Sequence, residues 1–409
     1  MSSEKISVFI PGEYDKGFIQ SFIKRQSPNN DGIFSYPLSK NSADENGGQI
    51  LVCFQVENPK CDYVVQFNRI KQDVEFECYD DKIFSLQQEP YINSCAKYHL
   101  PFKNEWFKEE STYRHCGRVF TFVEEILNSD SAYLADSADL NLIDSIRDLS
   151  ESTKLINSTD SRDSTKSKFI PHHPMMYYMY DNDLNFNQMR DLQIPEKSKT
   201  LSCISSMDKF AFEGHYKRIE FVLGLKKLIE KNKDYECDFY GSGIQVISKK
   251  SQGIAPYKYS IAIENSQTPH YFSEKIMDCF LGYCMPIYCG APNIYEYFPK
   301  DSFILIDINN VKEAYEIIKE AIENNFYEKH LDALLEARKR CLYEYNFIFG
   351  MGKIIAEDYL EMKKLGLKNK KTYHIKATKR TFLSHLKRNL WRIGSYFGLS
   401  GGIRKRLSY

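Results

Sequence analysis

At 409 residues and 42% hydrophobic content, the chain is long enough for two or three globular domains of about 150 residues, each with a sizeable core. Its eleven cysteines are scattered, odd in number and without a C-x-x-C pair, which argues against a disulfide framework or a zinc module and for a reducing compartment. The formal charge is zero but unevenly placed: residues 363–409 hold 14 Lys and Arg and no Asp or Glu, leaving 41 basic against 55 acidic residues before them.

In chain order, Met1 to Lys16 carries Glu4, Lys5, Glu13, Asp15 and Lys16 around one short apolar run. No stretch of the chain approaches the roughly 20 apolar residues that span a bilayer, so neither a signal peptide nor an anchor is expected. Lys5–Ile10, Ile50–Val56 and Tyr63–Phe67 read as strands, and Val74–Gln87 supplies one or two more before Glu89-Pro90 breaks the run. Arg118–Phe122 opens into Glu124–Leu127 as a strand-to-helix step, which predicts an α/β first domain. From 128 to 168 the composition turns to Ser, Asp, Thr and Asn, and an insertion, part helix and part loop, is expected.

Pro171-His172-His173-Pro174, followed by Met175–Tyr180, reads first as a Pro-bounded loop packed by its aromatics and second as a substrate contact. Asp181-Asn182-Asp183 has the form of a metal-binding Asp-x-Asp but follows no apolar strand, so a solvated turn is expected. After a polar stretch around Pro195, Leu201–Ser205 starts a second domain. His215–Lys231 is an amphipathic helix opened by Arg218, and Cys237–Tyr240 is a strand ending in a Gly241-Ser242-Gly243 turn.

The chemistry concentrates between Tyr257 and Asp307. Tyr259–Ile263 is a short β-forming run closed by Glu264-Asn265-Ser266, and Gln267–Phe272, with Pro269, must be a loop. Ser273 is an N-cap, Ile276, Cys279, Phe280 and Tyr283 recur at helical spacing, and Pro286-Ile287-Tyr288 is a second strand. Such a β-loop-α-β unit binds ligands at the strand carboxyl ends, where a helix start offers N–H groups to phosphate. Glu264, Asn265, Glu274 and Lys275 all fall there; alternatively Glu274 is only a first-turn acid and Lys275 a solvated partner of Asp278. Helices are predicted over 310–323, 327–345 and 349–362. In the tail, Phe382, Leu383, Leu386, Leu390, Ile393 and Phe397 alternate with basic residues, a pattern suited to an anionic membrane surface or, alternatively, to docking on the acidic body. No nucleic-acid recognition module accompanies the charge.

Tyr257-Lys258-Tyr259, Glu264-Asn265-Ser266, Tyr271-Phe272-Ser273-Glu274-Lys275, Pro286–Gly290 and Pro299–Ile304 stand in the order and spacing of one family. Here the sequence resembles the α-1,3-fucosyltransferases of glycosyltransferase family ten, with Ser273 where Thr is usual, over roughly residues 200–308. The resemblance implies two Rossmann-like α/β domains facing a cleft, the GT-B arrangement, with an acceptor domain at 1–196, a donor domain at 197–362 and the basic tail at 363–409. It implies inverting transfer of fucose from GDP-fucose to a saccharide or glycolipid hydroxyl in surface glycan synthesis, without a metal or other cofactor. Arg218 and Lys275 would contact the diphosphate, Glu274 the sugar or ribose hydroxyls, Asn265 and Tyr271 would line the pocket, and Glu264 would orient them. A Glu followed closely by Pro at a strand end serves as the family's base, here Glu89, with Glu125 and His172 in reserve. The likeness to anchorless bacterial members implies a cytoplasmic protein, peripheral on the membrane through 380–406. The alternatives are the same machinery with another GDP-sugar, or a non-catalytic, membrane-associated glycan-binding protein.

Overall fold

A computed structural model describes residues 3–11, 15–38, 48–90, 110–123, 127, 168–207 and 213–377. The 128–168 insertion, apart from Lys168, the 380–406 segment and Glu125 therefore lie outside the described residues.

Two parallel sheets carry the chain. The first has the order β2-β3-β1-β4-β6-β7-β8. Its strands are β1 (Glu4–Phe9), β2 (Ile33–Pro37), β3 (Gln49–Gln55), β4 (Tyr63–Phe67), β6 (Ile83–Leu86), β7 (Arg118–Thr121) and β8 (Phe169–Pro171). All neighbours are parallel except β2, which runs antiparallel to β3. β4 and β6 are buried along their whole length, as strands covered on both faces must be. β5 (Val74–Tyr79) leaves this sheet and pairs elsewhere. Helix α1 (Lys16–Arg25), capped by Asp15, covers one face with Ile19, Phe22 and Ile23.

The second sheet, in the order β10-β9-β11-β12-β13, is wholly parallel. It comprises β9 (Lys199–Ile204), β10 (Cys237–Tyr240), β11 (Tyr257–Ile263), β12 (Met285–Cys289) and β13 (Ile304–Leu305). Helices α2 (Glu213–Asn232), α3 (Glu274–Leu281), α4 (Val311–Glu323) and α5 (Leu331–Tyr343) join or flank these strands. The helix predicted over 327–345 is broken at His330, with one short turn, Phe326–Lys329, before it.

The packing redraws the boundaries expected at 196 and 362. Tyr178, Tyr180, Phe186 and Met189 belong to the core of the second sheet, although they precede residue 196. Helix α6 (Phe347–Leu365), expected to close the second domain, instead packs on the first sheet through Phe347, Met351, Ile355 and Met362. Two features hold it there. Phe347 lies 5.1 Å from the Phe54 ring and 4.9 Å from Phe67. Asp358, with 2% of its side chain exposed, takes Lys82 at 2.7 Å, Arg118 at 2.6 Å and the Tyr63 hydroxyl at 2.7 Å. A buried carboxylate needs such partners, because an uncompensated buried charge costs about 3–5 kcal/mol.

The chain then adds β14 (Lys370–Ile375), antiparallel to β5. Lys363 meets Glu4 at 2.7 Å, Lys368 meets Asp81 at 3.0 Å, Lys370 meets Asp62 at 2.8 Å and Lys371 meets Asp80 at 2.7 Å. The described part of the basic tail thus docks on the acidic body. No described helix is long and apolar enough to cross a membrane.

Candidate functional site

The carboxyl ends of β9, β10 and β11, the buried face of α2 and the first turns of α3 enclose a cavity of about 540 Å³. Parallel strands end together on one edge, and the loops leaving them must open there, so a cleft at this place follows from the topology. Gly214 lets α2 start against the loop after β11: a Cβ there would lie 2.0 Å from the Asn265 carbonyl oxygen. Gly241 takes φ +130° at the end of β10, a conformation that suits glycine, and turns the backbone along the cavity wall.

Arg218 projects from α2 into this cavity and is 7% exposed. Its Nη1 donates to Asn265 Oδ1 at 2.7 Å, while its buried Nε has no hydrogen-bond partner among the described residues. Burial lowers its pKa, with Glu264 and Glu274 opposing the shift through space. Opposite it stands the start of α3. Glu264, 2% exposed, accepts from Ser273 N–H at 2.8 Å, from the Ser273 hydroxyl at 2.8 and 2.9 Å, and from Lys275 Nζ at 3.0 Å. A carboxylate of the protein itself therefore occupies this helix start and is bonded to both Ser273 and Lys275.

Lys275 also reaches the Ser273 hydroxyl at 2.9 Å and Glu274 at 3.8 Å. Burial would lower its pKa, but Glu264 and Glu274 raise it, so it stays charged. Glu274 is held down to about 2: burial works against ionisation, and Lys275 and Lys250 outweigh it. Lys250 and Asp278 escape a reading by motif. Lys250 lies 2.7 Å from Asp278 and 3.7 Å from Glu274, so the partner of Asp278 is Lys250 rather than Lys275. Asp278 also accepts from Met179 N–H at 2.7 Å, and burial lifts its pKa to about 6 against the pull of Lys250. Nothing in Ser248-Lys249-Lys250 as sequence signals that its third residue enters the cavity.

Tyr271 is 3% exposed, with its ring 4.9 Å from Phe122 of the first domain. Burial pushes its hydroxyl well above the usual range, and the carboxylates of Glu264, Glu274 and Glu89 add to the effect. Glu89 thus belongs to the same electrostatic neighbourhood although it sits just after β6 in the other sheet. It is exposed there, with its N–H bound to Asn68 Oδ1 at 3.0 Å.

His173 packs as an aromatic, stacked on Phe272 at 5.0 Å and edge-on to Tyr297 and Tyr345. Burial drives its pKa far below normal. His172 donates from Nδ1 to the His173 carbonyl at 2.8 Å, and burial lowers its pKa to about 4, which makes it a weak base. The carboxylates of Asp181 and Asp183 take Lys249 at 3.4 and 2.5 Å.

Residues 194–333 match the family model described as glycosyltransferase family 10 (fucosyltransferase) C-term. The chain is 34% identical over 74 residues to alpha-(1,3)-fucosyltransferase FucT of Helicobacter pylori, covering 18% of this chain and 16% of that one. It is 27% identical over 164 residues to the human 4-galactosyl-N-acetylglucosaminide 3-alpha-L-fucosyltransferase 9, covering 36% of this chain and 45% of the relative. It thus spans less than half the length of these curated relatives. Among solved structures, an alpha1,3-fucosyltransferase with GDP aligns with 17% identity and a TM-score of 0.40, over 85% of this chain and 93% of the other.

Proposed function

We infer that a chain whose residues 194–333 match the family ten fucosyltransferase domain is a glycosyltransferase, and we propose that it moves L-fucose from GDP-fucose to a saccharide hydroxyl with inversion. The observation that carries the reading is Arg218. It is a buried guanidinium lining a strand-end cavity; among the described residues its hydrogen bond goes to the Asn265 amide oxygen, and its Nε has no partner there. A diphosphate supplies the acceptor atoms and the negative charge that such a group lacks.

On this reading the acceptor oxygen bonds to the anomeric carbon while the bond from that carbon to the phosphate oxygen breaks. GDP leaves with the electron pair, and the acceptor's proton passes to Glu89 across the cleft. Arg218 stabilises the departing diphosphate, Lys275 adds positive charge at its side, and Glu274, ionised throughout the neutral range, accepts hydrogen bonds from sugar or ribose hydroxyls. Asn265 and Tyr271 shape the pocket and Glu264 fixes the loop. No divalent ion takes part. The acceptor is a glycan or glycolipid of the cell surface, and the segment 380–406 brings the cytoplasmic enzyme to an anionic membrane.

The test is transfer measured by mass spectrometry with a panel of GDP-sugars against a glycan array. Turnover with GDP-fucose and not with GDP-mannose is expected. Turnover confined to another GDP-sugar, or none with any, would overturn the reading.

A further inference from the structure

Strand β4 ends at Phe67, and the next residue, Asn68, is buried with φ at +51°. Asn, Asp and Gly take that conformation far more readily than other residues. Asn68 N–H extends the sheet by donating to Leu86 O at 2.9 Å. Its side chain then turns across the neighbouring strand end. Oδ1 accepts from two consecutive N–H groups, Gln88 at 2.7 Å and Glu89 at 3.0 Å.

The residues leading to Glu89 are fixed from other directions as well. Gln87 N–H donates to Phe120 O at 3.0 Å, and the Gln87 side chain accepts from the Thr121 hydroxyl. Gln88, 2% exposed, donates to Pro174 O at 3.4 Å. Glu89 is the first residue after β6 to face solvent, on a backbone immobilised up to its own N–H. A flexible exposed glutamate is a poor base, because misplacing a reacting group by about 1 Å can cost on the order of 10²-fold in rate.

We propose that Asn68 is the positioning residue for Glu89: its side-chain oxygen, holding the N–H groups of Gln88 and Glu89, sets the direction in which the carboxylate meets the acceptor hydroxyl. This rests on the assignment of Glu89 as the base under the proposed function. Asn68 itself takes no proton.

Asn68→Gly keeps the backbone conformation and removes the acceptor atom; Asn68→Asp keeps both. The glycine variant should lower kcat for transfer roughly ten- to a hundredfold, leaving the calorimetric Kd for GDP-fucose within twofold of wild type, and the aspartate variant should recover most of the loss. Glu89→Gln should lower kcat by about two orders of magnitude, and Asn68→Gly added to it should cost less than a further twofold, since a residue acting through Glu89 has nothing left to position. A glycine variant within twofold of wild type, an aspartate variant no better than glycine, or a full additional loss on top of Glu89→Gln overturns the proposal. If the glycine variant loses donor binding through misfolding, Asn68→Asp is assayed alone: kcat within a fewfold of wild type is expected, and a loss of about tenfold or more with GDP-fucose binding intact overturns the proposal. Failure of the parent reading shows separately, as wild-type protein without GDP-fucose turnover or as Glu89→Gln with full turnover, and either overturns both.

Discussion

Three cations, Arg218, Lys250 and Lys275, line the cavity with two carboxylates, Glu274 and Asp278, and Glu264 is buried behind Lys275; their pairing decides what each contributes. Lys275 is spoken for by Glu264, and Lys250 by Asp278, whereas Arg218 leans on an amide. The Lys250–Asp278 pair has a measurable signature. Because burial raises the folded pKa of Asp278 to about 6 from the ordinary 3.8, the folded state keeps a proton that the unfolded state has lost between those values. Stability from this group therefore falls as pH rises from 3.8 to about 6 and is level above that. Thermal melts of wild type and Asp278→Asn should diverge across this window, wild type losing ground as pH rises; parallel curves from pH 4 to 7 would refute it. Lys275 and Glu264 were legible in the sequence because they share one short loop and one helix turn, where spacing alone fixes proximity. Lys250, Asp278 and Asn68 act across breaks of many residues, which spacing does not report.

At the level of elements, periodicity names a helix without naming its partner. Phe347–Leu365 has a helical pattern, and an Asn346 cap whose Oδ1 accepts from Phe349 N–H at 3.1 Å. Its choice of the first sheet comes from Phe347 fitting between Phe54 and Phe67 and from Asp358 meeting Lys82 and Arg118, all distant in sequence. β14 is likewise invisible in its own residues, Lys-Lys-Thr-Tyr-His-Ile, until the aspartates beside β5 supply the counter-charges. The tail accordingly divides near Ala377, whose N–H bonds Asp73 at 2.8 Å. A chain ending at 377 should melt within about a degree of the full chain, while one ending at 369 should lose a few degrees, given the lost ladder and the Tyr373–Phe76 stack. Sedimentation with anionic vesicles should show binding by the full chain and none by either truncation. Vesicle binding by the 377 form would move the membrane contact off residues 378–409.

For the whole molecule, the alternation of strand and helix was enough to expect α/β domains with ligand sites at the carboxyl edges of their strands, while the pairing of two such domains across a cleft was implied by the family resemblance. The same architecture makes a prediction about metals. The site's positive charge comes from Arg218, Lys250 and Lys275, and the carboxylates of Asp181 and Asp183 are taken by Lys249. Fucosyl transfer should proceed at an unchanged rate in millimolar EDTA; loss of turnover restored by Mn²⁺ would contradict it.

Among the described residues, the chain passes between its two halves twice, once at 172–198 and again in the three residues between α5 and α6. The passages touch, with the His173 ring 5.2 Å from that of Tyr345, and Asn346 ties the return to the end of α5 through Leu342 O. Mechanically this is a double pin. Swivelling one half on the other would have to shear one passage past the other, whereas tilting about the line of the two passages would not. A protease cutting either passage would leave the halves joined by the other, and the nicked molecule would still travel as one.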